Sequence, residues 1–214
     1  MTTPGVRTLH RLANRPDPPP TGERCEMCAQ QIDATAHQHV VDLHSRQLMC
    51  ACRACYLLFT DGAADLRYRA VPDRYLSYED FAMGPAQWEA LEIPVGLAFF
   101  FHNTVLGKTI AFYPGPAGVT ESELPLQAWE TVLAANPGLG ELRPDIEAVL
   151  IRAGTEGYQC FLVPIDACYE LAGRLRRGWQ GFDGGRESRE SLDTFFSTVT
   201  ARSRSASASA PVTR

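Results

Sequence analysis

The chain has 214 residues, 45% of them hydrophobic, with a formal net charge of -5, enough for one or two domains with a true core. The acidic balance argues against a broad nucleic-acid surface, which needs an excess of Lys and Arg. No run approaches the ~18 apolar residues of a membrane span and no apolar segment opens the chain, so the expectation is a cytoplasmic protein without a membrane span.

Residues 1–22 are polar and proline-rich, with PDPPP at 16–20, and are expected to be a disordered N-terminal segment. Residues 23–60 hold five of the seven cysteines. Cys25 and Cys28 form one CxxC pair, Cys52 and Cys55 a second, with Cys50 two places ahead. In the expected compartment such clusters read as metal ligands rather than disulfides. Each CxxC can close a tight turn and aim two thiolates at one ion, so two pairs supply four sulfurs at tetrahedral corners. The 23 residues between the pairs suffice for a hairpin. Cys50 is an alternate ligand, because CxC also presents two sulfurs, and His37 or His39 is an alternate that would give a three-cysteine, one-histidine site. Val40, Val41 and Leu43 suggest a short strand in this module, and Leu57, Leu58 and Phe59 are expected to pack it onto the rest of the chain.

Residues 61–92 read as a connector, with a strand at 67–71 and a short helix at 87–91 after Pro85. Residues 93–202 carry a pattern that occurs twice. Strand 95–101 (VGLAFFF), a turn, strand 108–113 and helix 126–135 are followed by strand 148–152, a turn, strand 158–163 and helix 165–177. Thr120 or Ser122 is expected to cap the helix at 126, with Glu123 as its capping partner. Two hairpin–helix units predict a four-stranded antiparallel sheet with both helices on one face. Cys160 and Cys168 fall on apolar faces and read as core. A last helix is expected at 186–202, then a low-complexity, disordered tail at 203–214. The fold class is α+β: an N-terminal zinc-ribbon-like module plus a β-hairpin–helix repeat domain.

CxxC, HxHxxD, CACRAC, VPDR, IPVGLAFFF, YPGPAGxTESEL and LVPIDxCYxL stand in this order over residues 23–200. Together they resemble an uncharacterised actinobacterial family whose genes lie in clusters for the high-affinity uptake type of nickel–iron hydrogenase. The resemblance implies a neighbourhood of hydrogenase assembly, protection or electron delivery. It implies no catalytic residue.

Two chemistries compete for the cysteines. Zinc would be structural, and iron in a rubredoxin-like site would carry electrons. Rubredoxin-type turns continue with glycine after the second cysteine, where amides approach sulfur and tune the potential. Ala29 and Tyr56 occupy those places here, which favours zinc over iron. A nuclease of the HNH type would need an Asp-His pair, but Asp42 is followed by Leu43. No nucleophile, base and orienting group fall together in the sequence. The reading is therefore a zinc-binding, non-enzymatic accessory protein acting on a protein partner, with a hydrogenase subunit or maturation factor as the candidate. The rival is an iron electron carrier in the same system.

Overall fold

The structure, a computed structural model, describes residues 22–61, 67–115, 118–155, 157–178 and 185–206. Most of the two segments expected to be disordered, residues 1–21 and 207–214, lies outside the described residues.

The N-terminal module is a three-stranded antiparallel sheet in the order β2-β1-β3. Strands β1 (Gln38–Asp42) and β2 (Gln47–Ala51) form a hairpin, and β3 (Tyr68–Ala70) pairs with the other edge of β1. The connector thus gives its first strand to the module. Asp42, 4% exposed, fixes the hairpin turn by accepting from the backbone N–H groups of His44 and Ser45. It also takes a bidentate pair from Arg67, which holds its carboxyl well below the usual carboxylate range. Helix α1 (Arg53–Leu57) follows β2 directly.

The main domain is a seven-stranded sheet in the order β10-β4-β9-β8-β5-β6-β7. Its centre is the two expected hairpins: β5 (Leu97–Asn103) with β6 (Lys108–Gly115), and β8 (Glu147–Gly154) with β9 (Gly157–Pro164). They join along β5 and β8, where Phe99 faces Leu150 and Ala98 faces Ile151. Three further strands widen the expected four. Strand β7 (Gly118–Ser122) pairs with β6, so Thr120 and Ser122 lie on a strand and cap nothing. Helix α3 (Leu126–Ala135) starts instead after Pro125, without a side-chain cap. At the other edge, β4 (Leu76–Ser77) pairs with β9, and β10 (Arg204–Ser205) lies parallel to β4. The tail expected from residue 203 therefore begins with a strand.

The two repeat helices sit on opposite faces, not on one. Phe100, Ala98, Val149 and Ile151 point to the face covered by α2 (Pro85–Ala90) and α3, where Phe100 stacks on Trp129 at 4.4 Å between centroids. Leu97, Phe99, Leu150 and Phe161 point to the other, covered by α4 (Ile165–Gly178), α5 (Gly185–Arg202) and Val41 of the module. A strand apolar at nearly every position needs cover on both sides, and the chain supplies it. Cys160 and Cys168 are buried, one under each face. Burial raises both thiols.

Leu57 and Leu58 do not pack the module onto the sheet: they are 50% and 69% exposed. Only Phe59 turns inward, against Tyr68. The module docks through β1 instead, with Val41 in the core and His39 bonded to Asp166 at the start of α4. Among the described residues no helix is long and apolar enough to cross a membrane.

Candidate metal centre

Cys25 and Cys28 lie on a tight turn. The Ala29 N–H donates to the Cys25 carbonyl at 2.8 Å, and the Cys25 N–H donates to the Gln30 carbonyl at 2.8 Å. Closing this turn puts Ala29 at φ +62°, a left-handed conformation usual for glycine. The sequence lacks the glycine, yet the backbone takes the glycine shape. The second pair is built differently. Cys52 is the N-cap of α1, and its sulfur accepts the Cys55 N–H at 3.5 Å. One turn and one helix start, rather than two equivalent turns, therefore present the sulfurs. The hairpin spans the gap between the pairs, and the Glu26 N–H ties the turn to the Cys50 carbonyl at 2.9 Å.

The sulfurs of Cys25, Cys28, Cys52 and Cys55 lie within 4.8 Å of one another. Cys28 Sγ and Cys52 Sγ are 3.7 Å apart. A tetrahedral zinc with bonds of ~2.3 Å has sulfur–sulfur edges of about 3.8 Å, so the cluster has the right size for one ion. Burial would raise the Cys25 thiol, but backbone hydrogen bonds from Cys52, Cys28 and Met27 outweigh it and draw the thiol down to about 6. Cys55 is pushed up to about 12 by burial and by the sulfurs around it. Four thiolates in one place need a cation among them, and a metal ion would displace the remaining protons. The four-cysteine cluster fits a zinc-ribbon-like module.

The alternates Cys50, His37 and His39 do not join the four sulfurs. They gather separately, with Cys50 Sγ and one ring nitrogen of each histidine within 4.8 Å of one another. Cys50 and His39 sit opposite each other across the β1–β2 pair. Sequence reasoning missed Asp166, which accepts from His39 Nδ1 at 2.9 Å. It lies in the first turn of α4, as its place after Pro164 suggests. Nothing local, however, signals a partner 127 residues away. His44 belongs to neither cluster.

A family model described as "Family of unknown function (DUF5947)" matches residues 24–203, nearly all of the described chain. No curated protein and no solved structure matches.

Proposed function

The chain belongs to DUF5947, a family of unknown function, and on that premise we propose that it is a zinc-binding accessory protein that acts by contact with another protein. The four convergent sulfurs carry this reading. Four thiolates leave no open position on a tetrahedral ion, which is the pattern of structural zinc. Tyr56 after Cys55 supports zinc over iron, because a rubredoxin-type turn has a glycine there that lets amides approach sulfur and tune the potential. The glycine-like backbone of Ala29 removes half of the sequence argument against iron, so the second pair bears most of the weight. Leu57 and Leu58, exposed two and three places after Cys55, offer an apolar lip where the metal would set the surface. Resemblance to proteins encoded beside high-affinity nickel–iron uptake hydrogenases makes a hydrogenase subunit or maturation factor the first partner to seek.

The test is purification of tagged protein from its native host without added metal, as wild type and as Cys28→Ser. Wild type is expected to be colourless, to carry zinc and to retain a hydrogenase component. Cys28→Ser should lose one equivalent of zinc per chain, amide protection over 22–61 and the partner, because metal binding and folding of so small a module are coupled. Red protein with stoichiometric iron and a reversible one-electron couple would favour the electron carrier. Full zinc and unchanged protection in Cys28→Ser would overturn the ligand set.

A further inference from the structure

His37 and His39 aim their Nε2 atoms at each other, 3.1 Å apart. What each ring does at its other nitrogen decides what lies between them. His37 Nδ1 is 2.9 Å from the Asp33 carbonyl oxygen, which can only accept. His39 Nδ1 is 2.9 Å from a carboxylate oxygen of Asp166, also an acceptor. Both rings therefore carry their proton on Nδ1. In the neutral rings both Nε2 atoms then present lone pairs to the same small space. Two lone pairs at that distance repel unless a cation stands between them.

The surroundings select the cation. Cys50 Sγ completes a triangle with the two nitrogens, all three atoms within 4.8 Å of one another. A tetrahedral ion with metal–nitrogen bonds of ~2.0–2.1 Å has nitrogen–nitrogen edges of about 3.3 Å, close to the separation found. A histidine ligand whose far N–H is held by a carboxylate or a carbonyl is the usual arrangement around bound metals, because it fixes the tautomer and raises ligand basicity. Here both histidines have it. Their side chains are 11% and 23% exposed, enough to admit an ion from solvent.

We infer that His37, His39 and Cys50 form a second metal site, separate from the four-cysteine cluster, for a divalent first-row transition ion such as zinc. Two imidazoles and one thiolate suit ions of borderline softness rather than calcium or magnesium. Three protein ligands leave the fourth position to solvent, unlike the closed four-sulfur site. The second ion is thus the exchangeable and chemically accessible one. Its orienting carboxylate comes from α4, so loading the site also fastens the module to the main domain.

The inference rests on ligands that the four-cysteine reading does not use, and the test separates them. Full-length chain is loaded with Zn2+ or Co2+, dialysed, and assayed as wild type, Cys50→Ser, His39→Ala and Asp166→Asn. Wild type is expected to hold two equivalents. Cys50→Ser and His39→Ala should hold one, with the amide protection of β1 and β2 retained to show that the module still folds. Their missing Co2+ spectrum, obtained by difference, should show tetrahedral d–d bands with the charge transfer of a single thiolate. Asp166→Asn keeps an acceptor for His39 but no charge, and should weaken the second ion about 10–100-fold. A single equivalent in wild type, undiminished in Cys50→Ser and His39→Ala, would overturn the inference and leave a shared proton between the rings. Two equivalents that survive both substitutions would overturn it equally. Failure of the four-cysteine reading has a different signature, full metal content in Cys28→Ser.

Discussion

Ala29 holds the turn after Cys28 with a backbone that L-residues disfavour, at roughly 1–2 kcal/mol. Its side chain is exposed, so the methyl contributes little packing. Ala29→Gly should remove the strain while adding backbone freedom to the unfolded chain, worth roughly 0.5–1 kcal/mol in the other direction. The expected outcome is a gain between zero and about 1.5 kcal/mol in the unfolding free energy of the metal-loaded protein, read from its denaturant midpoint. A loss would show that the turn does not depend on this torsion. The cysteine pairs were legible because their chemistry is local: two residues of spacing place two sulfurs on one ion. The separation of Cys50, His37 and His39 into their own cluster was not. It follows from the pairing of Cys50 with His39 across the hairpin, and a sequence does not display register.

Strand β7 shows the same limit at the scale of elements. Gly-Val-Thr-Glu-Ser reads as a turn and a helix cap, yet it pairs with β6 along its whole length, close against α4. Gly118 makes the approach possible. Its φ is +104°, and a Cβ there would stand 3.0 Å from the Ala172 carbonyl oxygen and 3.3 Å from Arg176 Cβ. Gly118→Ala should destabilise the protein by about 1–3 kcal/mol, read by equilibrium unfolding, because the torsion and the contact both oppose it. Hairpins β5–β6 and β8–β9 and helices α3 to α5 were legible from runs of apolar residues between turn signals. Which face each helix covers was not, because VGLAFFF is apolar on both sides and carries no facing information. Strands β4 and β10, of two residues each, are too short for any period to appear.

At the scale of the whole molecule, one buried ion pair ties the connector to the sheet. Glu147, 0% exposed at the start of β8, accepts from Arg74 at 2.7 and 2.8 Å and from the Arg143 N–H at 2.8 Å. Arg74 also reaches the Glu141 carbonyl. Removing the arginine leaves a carboxylate buried beside one remaining donor, and breaking such pairs costs about 3–5 kcal/mol. Arg74→Ala should fall at the lower end, since the arginine is partly open to water that can replace it. Adding Glu147→Gln to Arg74→Ala should recover part of the loss, because no charge is then stranded. Equal stability of the single and double variants would show that the charge is not the source of the cost.

The strand order also sets a timetable for the chain as it is made. All seven residues of the two candidate clusters lie between Cys25 and Cys55, so they leave the ribosome before any strand of the main sheet. The centre of that sheet must wait, because β5 finds β8 only about fifty residues later. Its edge waits longest: β4, at Leu76–Ser77, gains its outer neighbour only when Arg204 and Ser205 arrive. During that interval the module stands alone, with five thiols, two bare imidazoles and the core-facing side of Val41 open to solvent. His39 meets Asp166 only after every strand of the main sheet except β10 has been made. On the two proposals above, the ligands of the closed site are complete once Cys55 has been made, whereas the carboxylate that orients His39 in the second site follows only with Asp166.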